Sequence, residues 1–478
     1  MSPPRLTSHI NFIRGVRLAG EPHTWDIQIT YPADSTQGKV TSVTPHEPST
    51  KDDFECPLAL PALTHPHIHL DKAFIHSTPE YAPFLPTTGT FQEALSSTTK
   101  AKQQFSHSDI IRRGEWLLAE SVTSGVTAMR AFVEVDHTVQ LICLEAAVDL
   151  KNLWRDSCDI QIVCFAQDPI FSSEYGEQNM EFLETALRKY SQVDVIGTTP
   201  YVESSPEAAK QNIEWAIDRA LGLKKHVDFH LDYNLDSNKD ALVWHVLHTL
   251  KQRSWTTHST DKRVMLGHCT RLTLFTENEW ARLATEIHEN KLPLSFVGLP
   301  TSDIYMASPP RTSGDCKSPQ DRPRGTLQVL EMIRKYSLDA VIGVNNVGNS
   351  FTPWGLPDPL SLACLGVGIY QAGSQADAEL LYECVSTRAR AAIGLSSSHS
   401  DLCVKQGCQP DLLLVHDRDD TGCGVSRPRT NVAEVVWTPP VKSNRDVISG
   451  GRLKFSPFAG ADSDSLYQLD LVSCRSDC

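Results

Sequence analysis

Through the middle of the chain, short apolar runs alternate with longer stretches in which apolar residues recur at helical spacing. LALPALTHPHIHL, VTAMRAFVEV, IQIVCFAQ, VDVIGT, HVDFHLD, RVMLGHC, LPLSFVGLP and AVIGVNN read as strands. They are apolar on both faces, as strands of a covered parallel sheet are, and a helix-like segment follows nearly every one. Eight parallel βα units are the number that closes a (β/α)8 TIM barrel. The two ends of the chain read differently. WDIQITY and KVTSVT near the start, and DLLLVHD, AEVVWTPP and DVISGGRL near the end, are short β-rich pieces punctuated by Pro, Gly and Asp. The pattern predicts an α/β protein: a TIM barrel carrying a small β-sandwich domain built from both chain termini. The expected boundaries are 1–58 and 401–478 for the two parts of the sandwich and 59–400 for the barrel.

Helix signals support the alternation. Ser205 and Pro206 open EAAKQNIEWAIDRALG, with Ile213, Ile217 and Leu221 on one face and Gly222 as the stop. Ser108 is the expected cap of DIIRRGEWLLAESVTS, which Gly125 closes. The stretch from Asp303 to Arg324 is rich in Pro, Ser and Gly and reads as a long loop at the barrel mouth.

Length and composition agree with this plan. The 478 residues suit a barrel of about 250 residues or more plus an accessory domain. With 58 acidic against 44 basic residues the formal charge is −14, which opposes phosphate and anionic membrane surfaces. Nucleic acid and membrane are therefore not expected partners; a small molecule is. MSPPRLTSHINFIRG lacks a secretory apolar core, and no run of about 18 apolar residues occurs, so the expected setting is cytoplasmic. Thirteen scattered cysteines form no CxxC pair and are expected as reduced thiols. Cys474 and Cys478, in the tail, could pair or react, and the terminal Cys478 has no prenylation box.

In a parallel barrel the carboxyl ends of the strands share one mouth, so polar residues ending apolar strands converge there. His67 and His69 end the first strand at alternate positions, pointing the same way, so both imidazoles can reach one metal ion. His230 ends the fifth strand and His268 the sixth. A single strand-end histidine is more often a hydrogen-bonding residue than a ligand, but four in this arrangement, with Lys72 in HPHIHLDKAF, point to a metal site.

LALPALTHPHIHLDKAF resembles the entry to the catalytic barrel of amidohydrolases of the cytosine deaminase type. VTSGVTAMRAFVEVD, DIQIVCFAQDPIF, VDVIGTTPYVES, HVDFHLDYN, VMLGHCTRL and VIGVNNVGNSFTPWG continue the likeness in order, and the terminal β pieces resemble the family's returning sandwich. The resemblance implies that His67, His69 and His230 hold one divalent metal, by default zinc, though iron, nickel or cobalt also suit imidazoles. It implies that His268 orients water or substrate, that Phe165 and Gln167 line a heterocycle pocket, and that Phe351 and Asn346 contact the bound ring. Two positions depart from the family. Its strand-eight aspartate is Asn345, and its glutamate three residues after the strand-five histidine is Tyr233.

Both departures strike proton transfer. An asparagine carbonyl touches a metal but accepts no proton at neutral pH, where an aspartate of pKa about 4 does. Tyr233, with a reference pKa of about 10, is a poor base but a possible acid. Asp232 is the nearest alternative carboxylate, although a strand-end structural role suits it better, as a salt bridge suits Lys72. Phe165, Phe351 and Trp354 serve equally as packing or as ring recognition.

Three readings follow. The first is hydrolysis of a carbon–nitrogen bond, by deamination or ring opening of a small cyclic amide or amidine, in a specialised, secondary-metabolite pathway. The second is a non-hydrolytic lyase or cyclase step on a natural-product intermediate. The third is a catalytically degenerate binding relative. Homo-oligomers are common among barrels of this family and compatible with this chain.

Overall fold

The computed structural model describes residues 9–33, 35, 37–47, 56–307, 324–396, 402–419 and 421–456, with the backbone alone of 469–472. Eight strands form the barrel: β1 (Leu63–His69), β2 (Val126–Glu134), β3 (Asp159–Ala166), β4 (Val193–Thr198), β5 (His226–Leu231), β6 (Val264–His268), β7 (Leu294–Gly298) and β8 (Ala340–Ile342). Each pairs in parallel with the next. Closure between β8 and β1 falls to Asn345, which forms an isolated parallel bridge with Ile68. Its N–H donates to the His67 carbonyl at 3.1 Å and its carbonyl accepts from the His69 N–H at 2.8 Å.

The strands are apolar on both faces because both are covered. β2 is buried at every position, its inner side chains filling the barrel and its outer ones packing under helices such as His107–Ser124. That helix is capped by Ser106, whose hydroxyl accepts from the Asp109 N–H; Ser108, the expected cap, lies inside the first turn. Gly125 closes the helix at φ 113°, in the left-handed region glycine favours. Ser205 caps Pro206–Leu223 as expected, but the helix runs past Gly222, and Lys224, at φ 52°, ends it.

The two ends of the chain pair into one network of eight strands. Leu58–Pro61 is its hinge, running parallel to His9–Leu18 on one side and antiparallel to Leu412–Val415 on the other. Ile10, Val16, Ile27, Ile29, Leu414 and Ile448 make its core. The predicted single strand LALPALTHPHIHL is therefore two strands, one in each unit, separated at Ala62. AEVVWTPP, predicted as a strand, is instead the helix Val432–Trp437: Asn431 accepts from the Glu434 N–H, and Val432, Ala433, Val435 and Val436 are buried at helical spacing. At the barrel mouth Pro300–Met306 is helical rather than loop, and the rest of the predicted mouth loop, 308–323, lies outside the described residues, as do Cys474 and Cys478. All the described cysteines are free. Among the described residues no helix is long and apolar enough to cross a membrane.

Candidate metal and substrate site

His67, His69 and His230 converge at the mouth end of the barrel interior. Their Nε2 atoms point at one another: His67 to His230 at 3.2 Å and His69 to His230 at 3.0 Å. Nitrogens held about 2.0–2.1 Å from a common ion stand roughly 2.9 Å apart at 90° and about 3.3 Å apart at 109°, so the spacing fits a shared divalent cation. The rings are almost fully buried. Burial first, then the charge of Lys72 for His69 and of neighbouring imidazoles for both, holds His69 and His230 well below the usual histidine pKa. Neutral imidazoles with lone pairs turned inward are what a metal ion requires. The structure brings together the three histidines that the resemblance implies as ligands.

His65 shares the alternation but not the site. The β1–β2 register shifts between His65 and Ile68, and His65 turns outward, its Nε2 3.2 Å from the Ser121 hydroxyl. The bulge separates a packing histidine from two inward ones.

Behind the imidazoles stand residues the sequence reading did not single out. Asp228, two residues before His230 on the same face of β5, places Oδ1 3.5 Å from His67 Nδ1. Its other oxygen accepts from the buried Arg130 at 3.0 Å. Phe132 lies against the His67 ring at 4.0 Å. The alternation in HVDFH was a usable signal for Asp228.

His268 ends β6 at φ 65°, in the left-handed region where non-glycine residues are uncommon. Asp232 after β5 and Asn345 after β8 do the same, at φ 50° and 64°. His268 Nδ1 is 2.8 Å from Asp303 Oδ1. Asp303, fully buried, also accepts from the Thr326 hydroxyl at 2.6 Å and the Leu299 N–H at 3.2 Å. With two donors already on its other oxygen, Asp303 is placed to accept from the Nδ1–H of His268. Nothing in the loop composition of its surroundings marked Asp303.

The Tyr233 ring stacks on His268 with centroids 3.9 Å apart and planes at 25°. Its hydroxyl donates to the Ser302 carbonyl at 3.1 Å, and burial, then Asp303 and Tyr201, push its pKa well above 10. It is a proton-holding ring wall. The Asp232 carboxylate accepts from the N–H groups of Leu242 and Val243 at 2.8 and 3.1 Å, at the start of Val243–Gln252. It faces that helix rather than the imidazoles, and burial raises it to about 6.

A small recess of about 20 Å3 opens in front of the imidazoles. Lys72, Gln167, Tyr233, His268, Asn345, Asn346 and Phe351 line it, with Tyr201 and Ser302 added. Phe165 sits one layer deeper, 4.5 Å from the His230 ring, in a cluster with Phe132, Val163 and Val195. Trp354 is half exposed on the rim, edge-on to Tyr305 at 5.2 Å. Asn345 donates from Nδ2 to the Ser302 hydroxyl at 2.9 Å, while its Oδ1 is buried without a protein partner.

Lys72 is salt-bridged, as a barrel-mouth lysine was expected to be, and it also faces the pocket. Its ammonium lies 2.7 Å from Glu134 Oε1; the other oxygen of Glu134 is 2.6 Å from Lys102. Against the upward push of burial, Lys102 and then Lys72 hold Glu134 at about 2. A second group with ligand-like spacing, Asp136, His137 and Asp168, is already served: Lys102 contacts Asp136 and lies 3.1 Å from Asp168.

The fold predicted from the sequence, a parallel barrel with a terminal β-domain, is shared with solved deaminases and amidohydrolases. No family profile matches the chain. It is 20% identical over 377 residues to the N-isopropylammelide isopropyl amidohydrolase of Pseudomonas sp. (strain ADP), covering 77% of this chain and 83% of that protein. The 5-methylcytosine deaminase of Klebsiella pneumoniae, solved with 5-fluorocytosine, superposes with a TM-score of 0.74 at 19% identity, over 93% of this chain and 97% of that one. An adenosine deaminase from Xanthomonas campestris, solved with bound zinc, gives a TM-score of 0.59 at 15% identity over 93% of this chain and 92% of that one.

Proposed function

We propose that the chain hydrolyses a carbon–nitrogen bond of a small heterocycle, by deamination or ring opening. The observation that carries this is the convergence of three buried imidazoles, with the Nε2 atoms of His67 and His69 at 3.2 and 3.0 Å from His230 Nε2, at the floor of a small polar pocket. The named activities of the similar proteins, an amidohydrolase and two deaminases, support it. A divalent ion held by His67, His69 and His230, zinc being the natural choice for imidazoles, supplies Lewis acidity and acidifies water.

The chain's own residues do the rest. Phe351 and the Tyr233 face confine the ring. His268, its Nδ1–H held by Asp303, offers Nε2 to the proton released as water adds to the ring carbon, and returns that proton to the departing nitrogen as the C–N bond breaks. Asn345 Oδ1, buried and unpartnered, accepts a hydrogen bond from the water or the departing amine. Tyr233 positions His268 by stacking, and Asp232 acts only through the backbone it holds.

Metal content of protein purified without chelator tests this reading. About one equivalent of divalent metal per chain is expected, reduced to background in His230→Ala. Less than about a tenth of an equivalent in the parent protein would overturn it, since the chemistry needs one ion per site.

A further inference from the structure

The pocket that receives the ring contains one ammonium and no carboxylate. Asp303 and Glu134 are buried behind His268 and Lys72 and do not line it. Lys72 shares its counter-ion, because Glu134 divides its two oxygens between Lys72 and Lys102. Lys102 also has Asp136 and Asp168 as partners, so the Lys72 ammonium faces the pocket as one half of a buried ion pair with Glu134.

The amides around Lys72 are also fixed in one sense. A lysine ammonium only donates, so the Gln167 oxygen must be the atom 3.3 Å from Lys72 Nζ, which leaves the Gln167 NH2 for the pocket. Asn349 is locked by its own backbone contacts: Oδ1 accepts from the Phe351 and Thr352 N–H groups at 3.0 and 3.3 Å, and Nδ2 donates to the Lys72 carbonyl at 3.2 Å. Its remaining Nδ2 hydrogen meets Asn346 Oδ1 at 2.7 Å. Asn346 therefore turns its NH2 to the pocket as well. Lys72, Gln167 and Asn346 form a wall that only donates hydrogen bonds.

We infer that the pocket takes a planar, oxygen-rich ring bearing a negative charge, a cyclic imide or ureide anion, whose ring oxygens and ionised nitrogen face Lys72, Gln167 and Asn346. An amino-rich, basic heterocycle would set N–H groups against N–H groups and bring a second cation beside Lys72. This rests on reading the pocket as the substrate site and narrows the substrate to one electrostatic class.

The test is calorimetric binding of three single rings of one size, with the protein as purified: barbiturate, anionic at neutral pH; uracil, its neutral counterpart; and 2,4-diaminopyrimidine, basic and donor-rich. Barbiturate should bind about tenfold tighter than uracil or better, the margin between a charge-assisted and a neutral hydrogen bond, with diaminopyrimidine weakest. Lys72→Met should erase the barbiturate advantage while changing uracil little. Gln167→Glu, which keeps the buried lysine and changes a donor into an acceptor, should lower barbiturate affinity about tenfold and raise that of diaminopyrimidine. The second variant decides the matter if the first fails to fold. Barbiturate binding no tighter than uracil, no binding at millimolar concentration, or an advantage surviving both substitutions overturns the inference. Binding needs no turnover, so absent metal or hydrolysis counts against the proposed reaction, and a lost preference counts against this inference alone.

Discussion

Asp228→Asn tests the contribution of the charge behind the proposed metal ligands. Asp228 Oδ1 lies 3.5 Å from His67 Nδ1 in a fully buried setting. Two unit charges at that separation interact by about 5 kcal/mol at an effective dielectric of about 20. An imidazole that donates a lone pair to a cation acquires only part of a charge; if that part is about a third, the carboxylate contributes roughly 1.5 kcal/mol, or about tenfold in metal affinity. The substitution also leaves Arg130, fully buried, without its ion-pair partner at 3.0 Å. The bare guanidinium adds a repulsive contribution of the same order. We expect zinc affinity, measured by competition with a chromogenic chelator, to fall by about 10- to 100-fold, the range found when carboxylates supporting metal-bound histidines are removed. Arg130 keeps hydrogen bonds to Gln161 at 3.1 Å and to the Ile393 carbonyl at 3.0 Å. Urea denaturation should accordingly show a loss below the roughly 3–5 kcal/mol typical of a broken buried pair. Zinc affinity within about twofold of the parent, with stability reduced, would refute the argument and make Asp228 a folding residue only.

Asp303→Asn should lower kcat by about 100- to 10,000-fold with little change in KM, because an amide nitrogen opposite His268 Nδ1 moves the imidazole proton to Nε2; a loss confined to thermal stability would contradict this. Burial, opposed by Asp358 and the Pro357 carbonyl, lowers His65 to about 4. The unfolded chain takes up that proton near 6.5 and the folded one does not. Stability present above pH 6.5 is therefore lost as pH falls toward 4, by at most about 3 kcal/mol, and urea titrations at pH 7 and 5 should show the gap narrowing in His65→Gln. A Cβ on Gly267 would lie 3.1 Å from His67 Cε1, so Gly267→Ala should displace that ring and reduce bound zinc on dialysis, while Gly222→Ala, with open space around it, should not. The double change Asn345→Asp with Tyr233→Glu restores two proton-transfer groups and should create or raise deaminase activity toward cytosine-type rings, read as ammonia release; no gain with any ring tested would show that the pocket serves another substrate.

The barrel was legible because most strands are apolar on both faces and helices such as Pro206–Leu223 carry their own caps. The histidines were legible because strand ends share one mouth. What escaped reading depended on contacts made across the fold. Val432–Trp437 is rich in valine and passes for a strand, whereas its buried residues fall at helical spacing behind the Asn431 cap. Ser106 rather than Ser108 caps its helix, a two-residue difference that composition does not resolve. His65 was indistinguishable from His67 and His69 by spacing, since the register shift that turns it outward comes from pairing with β2. Asp303 hid in a segment whose Pro, Ser and Gly content spoke only of loop, although its carboxylate is the one that orients His268.

The two positions where the sequence resemblance leads one to expect carboxylates, Asn345 and Tyr233, carry residues built into the frame. Asn345 closes the barrel through its backbone, on both sides of the seam with β1, and does so at a positive φ that asparagine and aspartate tolerate alike. Exchanging one for the other leaves closure intact and changes only charge: an acceptor without a negative charge now stands beside the imidazoles. Tyr233 has a buried ring stacked on His268 and a hydroxyl bonded to the Ser302 carbonyl. Here the replacements are packed, bonded and aimed at the same pocket. Both remove negative charge from a site whose remaining wall donates hydrogen bonds. Loss of the carboxylates and the donor wall around Lys72 thus act in one direction, favouring a ligand that brings the negative charge itself.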